Sequence, residues 1–166
     1  QSSPPEISNP KEISTGGYFS CALLSDGSAT CWGENASIRT PIGAGNTNLT
    51  SGGYHSCVID KNGLVQCVGA NDYGESTVPA LSNAKQVSAG NHFTCALVDS
   101  GVSCWGDDSY GQTDVPTLIN PTKISSGQDH ACALDDTGIV CWGRNDNLQT
   151  EASSVPSGVS IFDAGG

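Results

Sequence analysis

Short apolar segments separated by polar, glycine-containing turns recur four times along the chain. Each block begins with a strand-like segment that contains a cysteine, turns at Asp-Gly or a close variant, and ends with a second segment at Cys-Trp-Gly or Cys-Val-Gly. Two such segments about a tight turn predict a β-hairpin. The four blocks are TGGYFSCALLSDGSATCWG, SGGYHSCVIDKNGLVQCVG, SAGNHFTCALVDSGVSCWG and SSGQDHACALDDTGIVCWG.

A short strand-like segment precedes each hairpin and ends at a turn of small residues; these segments are 12–14, 49–50, 86–88 and 123–125. After the hairpin, residues 110–116 match 73–79, with looser counterparts around Thr150 and Pro156. Proline in that segment suits an edge or a loop better than a central strand. We therefore expect three or four short strands per block and no helices.

The blocks form a repeat, because their first cysteines, Cys21, Cys57, Cys95 and Cys132, follow one another at intervals of about 37 residues. A unit of so few strands cannot bury both faces alone, so neighbouring units must stack, and radial stacking of small sheets is a β-propeller. The prediction is one all-β domain over residues 1–166. Its approximate repeats are 10–47, 48–83, 84–120 and 121–158, followed by a partial fifth inner strand at 159–166.

The count of five inner strands against four hairpins leaves two arrangements open. The extra strand could complete the first blade and close a ring, or the chain could be a piece of a longer propeller or half of one built by a homodimer. We favour the piece or the half, because the exposed sheet edges of an open arc usually require a partner. The sequence begins at Gln1, without an initiator Met and without a signal-peptide pattern, which suggests a processed or trimmed chain.

Charge and hydropathy narrow the possible partners. The chain has 6 Lys and Arg against 17 Asp and Glu, a net charge of -11, which would repel phosphate backbones and anionic lipid. No apolar run approaches the roughly 20 residues of a membrane-spanning helix. We expect a soluble chain with no nucleic-acid partner and no membrane insertion.

All eight cysteines occupy two fixed repeat positions. Folding each hairpin about its turn brings the two cysteines of a block opposite each other, within disulfide reach. A zinc site is disfavoured because it would need Cys-x-x-Cys spacing, which does not occur. A set of free thiols is disfavoured because the cysteines are even in number and paired within each block. We predict four disulfides and a secreted, extracellular protein. The pairs are Cys21–Cys31, Cys57–Cys67, Cys95–Cys104 and Cys132–Cys141.

Metal, cofactor and catalytic chemistry receive little support. His55 and His130 share a repeat position and His92 lies one residue away from it, but a repeated His beside a turn more often bonds the backbone of a neighbouring strand, and blades around a ring would hold these side chains apart. Acidic pairs such as 107–108 lack a calcium-loop pattern. No nucleophile, zinc-protease or phosphate-loop motif occurs. We predict no metal, no cofactor and no enzymatic activity.

Two further features have competing interpretations. Trp32, Trp105 and Trp142 share the position after the second cysteine, where packing between blades is favoured over stacking on a sugar. The sequons at Asn35 and Asn48 lie in predicted outer loops of the first repeat, where a eukaryotic source could attach glycans.

The motifs resemble a known family. Gly-Gly-Tyr-His-Ser at 52–56, Asp-Gly at 26–27, Trp-Gly at 105–106 and the Tyr-Gly-Gln-Thr-x-Val-Pro run at 110–116 are similar to the repeats of the regulator of chromosome condensation, and most similar to those of bacterial beta-lactamase inhibitory proteins of the second type. The resemblance implies a seven-bladed propeller that binds proteins through one rim of loops. This chain departs from it in having four repeats, and in Ile38 and Arg39, where repeat three has Gly111 and Gln112.

The variable residues between the constant glycine and cysteine are the candidates for binding a partner, because rigidly held aromatic side chains supply contact area at low entropic cost. Ordinary turn residues are the competing interpretation. The candidates are Tyr18, Phe19, Tyr54, Asn91, His92, Phe93, Gln128 and Asp129.

The leading hypothesis for function is a secreted protein-recognition module, with enzyme inhibition as one form of that role. An extracellular lectin is the alternative, and it would repeat the same contact residues in every blade. Guanine-nucleotide exchange on chromatin, which the name-giving family member implies, is disfavoured by the disulfides and the acidic charge.

Overall fold

The computed structural model describes residues 6–34 and 42–151, which form twelve strands in four three-stranded antiparallel sheets. Each sheet is one repeat and is called a blade, numbered 1 to 4 along the chain. The strands of each blade follow chain order, with an inner, a middle and an outer strand. The all-β, propeller-type fold and the third strand per unit were predicted correctly. No helix occurs in the described ranges, so none there could span a membrane.

The strand bounds are as follows, blade by blade: β1 Pro10–Thr15, β2 Phe19–Leu24 and β3 Ala29–Gly33; β4 Thr47–Ser51, β5 His55–Ile59 and β6 Val65–Gly69; β7 Gln86–Ala89, β8 Phe93–Val98 and β9 Gly101–Gly106; β10 Lys123–Ser126, β11 His130–Asp135 and β12 Gly138–Gly143.

The middle and outer strands form the hairpins that the repeat pattern predicts. Gly27 and Gly63 take φ values of 79° and 76° in the turns of blades 1 and 2, a backbone conformation that glycine adopts without strain. The register places the two cysteines of every blade directly opposite each other, as in Cys95 opposite Cys104. All four predicted disulfides are formed.

The core lies between blades rather than inside any one of them. Phe93 and Leu97 of blade 3 pack with Ile124, Ala133 and neighbouring apolar residues of blade 4 in one buried cluster. The middle strands β5 and β8 are buried at every position, because a blade is covered on both sides. Each blade therefore depends on its neighbours for its stability.

The inner strands stack side by side in the order β1, β4, β7, β10. A polar side chain of one blade caps a backbone N–H of the next: Leu49 N donates to Glu12 Oε2 at 3.0 Å, and Val87 N donates to Asn48 Oδ1 at 2.7 Å. The Gln86 side chain bonds both backbone groups of Ile124, since its Oε1 accepts from Ile124 N and its Nε2 donates to Ile124 O. These bonds replace the ladder partners that the free edge of an inner strand lacks.

In blades 3 and 4 a tryptophan ties the outer strand to the loop of the preceding blade. Trp105 Nε1 donates to the Glu75 carbonyl at 2.9 Å, and Trp142 Nε1 donates to the Gln112 carbonyl at 3.0 Å. Both indoles are buried. In these two blades the tryptophans therefore have the inter-blade packing role predicted from their position.

The structure corrects the position predicted for one sequon. Asn48 lies in inner strand β4 rather than in an outer loop, because its amide oxygen is needed to cap the next blade, so the predicted loop position was wrong. Its glycosylation stays a prediction. Asn35, Ile38, Arg39, Pro156 and the predicted fifth inner strand at 159–166 lie outside the described residues. The segments after the hairpins at 73–79 and 110–116 are loops, as proline suggested.

The disulfides generate the first prediction. Replacing both Cys95 and Cys104 by Ala should lower the free energy of unfolding by about 2 to 3 kcal/mol, because a loop closed by roughly ten residues restricts the unfolded chain by that amount. Urea denaturation of the variant and the parent protein measures this change. A loss below about 0.5 kcal/mol would show that the bridge adds nothing to the neighbouring blade contacts.

Candidate functional site

The glycine turns between inner and middle strands come together at one end of the blades and form a ladder of backbone hydrogen bonds. Gly17 N donates to the Gly53 carbonyl at 3.1 Å, Gly53 N to the Gly90 and Asn91 carbonyls at 3.2 Å, and Asn91 N to the Gln128 carbonyl at 2.9 Å. A Cβ added at Gly52 would stand 2.0 Å from the Gly90 oxygen, so only glycine permits this approach.

This ladder sets the side chains that follow the glycine turns in line along one rim of the blades. The ring centroids of Tyr18 and Tyr54 are 5.9 Å apart, and Tyr54 stacks on His92 with centroids 5.4 Å apart and planes at 15°. Tyr73, from the loop after blade 2, also contacts His92, with ring centroids 4.8 Å apart. We call Tyr18, Tyr54, Tyr73 and His92 the aromatic row.

The row remains accessible. Tyr18 is 52% exposed and Tyr73 is 53% exposed, although both rings contact neighbours. Tyr54, Tyr73 and His92 line a groove of about 810 Å³ with Gly69, Ala70, Asn71 and Asp72. A second cavity, of about 480 Å³, is lined by the small residues of the glycine turns of all four blades.

The loops after the hairpins of blades 2 and 3 are each held by the buried side chain of a Glu or a Gln. Glu75 Oε2 accepts from Tyr73 N at 2.9 Å, and Gln112 Oε1 accepts from Tyr110 N at 2.8 Å. Glu75 is fully buried and Gln112 is 1% exposed, and the tryptophans bind the carbonyls of these same two residues. Tyr73 and Tyr110 are thus presented outward by a fixed base.

Arginine extends the rim into blade 4. The Arg144 guanidinium carbon lies 4.9 Å from the centroid of the Tyr110 ring, within cation–π range. Its Nε donates to Asp146 at 2.7 Å and its Nη1 to Asp129 at 3.3 Å. These hydrogen bonds, that to Asp146 first, raise the pKa of Arg144 above its ordinary value.

The predicted partner-binding residues divide into two groups. Phe19 and Phe93 are 2% and 0% exposed and pack in the core, so their assignment to a binding surface was wrong. They share a repeat position with buried His55, where the side chain turns inward from the first residue of the middle strand. Tyr18, Tyr54, Asn91, His92, Gln128 and Asp129 lie at the glycine-turn rim and remain candidates.

Tyr73, Tyr110 and Arg144 were not among the predicted site residues. A signal for the two tyrosines was present, since Tyr-Gly is followed by Glu or Gln in both loops. That polar residue folds inward to bind the tyrosine N–H, and the aromatic ring is left outside. Arg144 had no such signal, because its repeat position holds Asp107 in blade 3 and Ala70 in blade 2.

His55 bonds a hydroxyl of the next blade instead of the expected backbone group. Its Nε2 lies 2.7 Å from Thr94 Oγ1, and the Thr94 hydroxyl donates to the Glu75 carbonyl. Thr94 has one hydroxyl proton, so His55 Nε2 is the donor and Nδ1 is unprotonated. Nδ1 is buried without a hydrogen-bond partner. Burial, and then the nearby charge of His92, lower the pKa of His55 from 6.5 to about 4.

His92 is therefore close enough to His55 to affect its protonation. The expectation that the blades hold these two histidines far apart was wrong. His92 Nδ1 and Glu75 Oε1 face each other at 3.9 Å, and neither atom has a hydrogen-bond partner. Within residues 6–34 and 42–151, no three His, Cys, Asp or Glu side chains are grouped as metal ligands would be. The absence of a metal and of a cofactor stays a prediction.

The family model for the regulator of chromosome condensation (RCC1) repeat matches four times, at residues 11–37, 47–75, 84–112 and 122–149. A search of curated protein sequences finds no significant match.

Solved propellers share the fold. The CRINKLY WD40 ectodomain of the receptor kinase ACR4 from Arabidopsis thaliana has 24% identity and a TM-score of 0.70, over 84% of this chain and 56% of that one. The ectodomain of the receptor kinase CR4 from Physcomitrella patens has 28% identity and a TM-score of 0.68, over 81% and 38%. Prp20p from Saccharomyces cerevisiae has 18% identity and a TM-score of 0.72, over 85% and 45%. The chain thus spans about half the length of these proteins or less.

His55 generates the second prediction. Its pKa is lower in the folded protein than in the unfolded chain, so the unfolded chain takes up the proton first as pH falls. Stability present above pH 6.5 should decline towards pH 4, by about 3 kcal/mol from this group. His55→Phe, which installs the residue of blades 1 and 3, should remove this part of the decline.

Chemical denaturation of both proteins at intervals from pH 4 to pH 7 measures the difference. Carboxylates titrate in both, so the difference between the two curves isolates His55. Parallel curves would contradict a buried neutral His55.

Proposed function

The chain belongs to the regulator of chromosome condensation (RCC1) repeat family, and on that premise we propose that it is a secreted, non-catalytic module that binds a partner protein through the aromatic row. One observation carries the proposal: four aromatic side chains from adjacent blades are aligned on one rim and partly exposed. Aromatic side chains held this way are the usual anchors of protein interfaces.

The rigidity of the base supports this role. The glycine ladder and the buried Glu75 fix the backbone beneath the row, so little conformational entropy remains to be lost when a partner binds. The rim position varies along the blades, since it holds Tyr18 and Tyr54 in blades 1 and 2, His92 in blade 3 and Asp129 in blade 4. Such variation on a constant frame suits one irregular protein surface.

The relatives agree with a binding role. Prp20p is described with its binding properties to Gsp1p and histones. The ACR4 and CR4 structures are ectodomains of receptor kinases. Four disulfides and ectodomain neighbours are compatible with an extracellular location. Inhibition of an enzyme is a finer form of the proposal, in which the row would cover the enzyme's active site.

A lectin is the second candidate, and exposed tyrosines such as Tyr18 and Tyr110 are the observation in its favour. A sugar can stack on such a ring. Against it, buried Trp105 and Trp142 offer no stacking face, and the rim position does not repeat one residue in each blade. Protein recognition is therefore preferred.

The test uses two double variants. Tyr54→Ala with Tyr73→Ala should weaken partner binding by at least about 30-fold, the loss typical of a hot spot. The control is Leu64→Ala with Ile119→Ala, which removes exposed apolar side chains from the hairpin ends and loops away from the row. This pair should change the affinity less than about twofold.

The partner is recovered from extracellular fluid of the source on immobilised parent protein, and its affinity for each variant is measured by calorimetry. Equal losses in the two double variants would contradict a role for the row. Elution of the partner by free sugars, with loss of binding after deglycosylation, would favour the lectin.

A further inference from the structure

We propose that the groove between Tyr54, Tyr73 and His92 binds an arginine side chain of the partner protein. This deepens the proposed function and rests on it, since it names the chemistry that the aromatic row recognises. Three observations lead to it: an arginine bound by the chain itself on the next blade, no Lys or Arg among the described residues that line the groove, and the carboxylates of Asp72 and Glu75 close to it.

The chain shows how its rim holds a guanidinium. Arg144 lies over the Tyr110 ring at 4.9 Å and pairs with carboxylates of Asp129 and Asp146. A tyrosine face combined with carboxylates satisfies both the planar surface and the N–H groups of arginine. The site is built from the loop after one blade and the glycine turn of the next.

The same elements one blade earlier form the groove, but without the cation. Tyr73 takes the place of Tyr110, and His92 takes the place of Asp129. The position of Arg144 is filled by Asp107 in blade 3, whose short carboxylate bonds Ser109 and Gln112. In blade 2 that position is Ala70, which contributes only a methyl group to the groove lining.

The charge at the groove is negative. Asp72 lines it and is exposed. Glu75 beneath it is fully buried, and its Oε1 lacks a hydrogen-bond partner although it lies 3.9 Å from His92 Nδ1. A buried carboxylate with an unpaired oxygen is costly, and a cation brought close to it relieves that cost. The net charge of -11 also attracts cationic surfaces from a distance.

These features select arginine among the side chains a partner can offer. A carboxylate would be repelled by Asp72, and an apolar side chain would offer no charge to Asp72 or to the unpaired oxygen of Glu75. Lysine satisfies the charge but not the flat aromatic faces, over which a guanidinium stacks. The groove volume of about 810 Å³ is ample for this side chain and the backbone beside it.

The test compares two capped tripeptides, Gly-Arg-Gly and Gly-citrulline-Gly, which have nearly the same shape but differ in charge. Amide chemical shifts of the isotope-labelled protein are followed during titration with each. The arginine peptide should shift the amides of Gly69, Asn71 and His92, and the citrulline peptide should bind at least about fivefold more weakly, as expected for loss of a cation–π and charge contact.

Two exposed-site variants locate the contact. Tyr73→Leu removes the aromatic face and Asp72→Asn removes the charge, and each should weaken the arginine peptide by at least about threefold. Leu64→Ala, on the outer hairpin of blade 2, should bind the peptide as the parent does. Unchanged thermal unfolding shows that the variants remain folded.

Equal binding of the two peptides, no shift of the groove amides, or equal losses in the Leu64 control would overturn the arginine site. If the peptides fail in this way but Tyr54→Ala with Tyr73→Ala still abolishes partner binding, only this inference fails. If neither variant set affects the partner, the proposed function fails as well.

Discussion

The free edge of each inner strand is the constraint on which this structure depends. An inner strand is paired with its middle strand on one side, and its remaining N–H groups must be satisfied by something else. Here the preceding blade supplies the acceptor, through Glu12, Asn48 or Gln86. Two residues further along the inner strands, Thr50 Oγ1 accepts from Ala89 N and Ser88 Oγ accepts from Ser126 N. These bonds fix how each blade sits on the next, and the glycine turns, the aromatic row and the groove take their positions from that stacking.

Most of the fold was predictable because its signals are local and repeated. The hairpin register places the two cysteines of a blade opposite each other, and the tryptophan after the second cysteine is buried in both blade 3 and blade 4. The site was less predictable. Phe19 and Phe93 lie one residue after the rim position. Their side chains point inward because the middle strand begins at that residue and the turn has already ended. Tyr73 and Tyr110 lie in loops whose shape is set by a buried residue two positions on, which a strand-based pattern does not reveal.

The division of labour between positions gives the protein its binding character. Glycine, cysteine and the capping residues hold the frame, while one residue per turn is free to vary at the rim. The stacking is also not complete at its first blade. Ile13 is 72% exposed, whereas Leu49, Val87 and Ile124 at the same repeat position are at most 8% exposed. Within the described residues nothing covers Ile13, so blade 1 retains a face of the kind that other blades use for packing.

The capping of inner strands by the preceding blade is tested most directly by amide hydrogen exchange at Ile124, whose N–H donates to Gln86 Oε1. Gln86→Leu removes the acceptor, and Gln86→Glu keeps one, as Glu12 does in blade 1. Exchange at Ile124 should accelerate by about fivefold or more in the Leu variant and little in the Glu variant, with Ala133 of the same blade unaffected in both. Unchanged protection of Ile124 in the Leu variant, or an equal loss at Ala133, would contradict it.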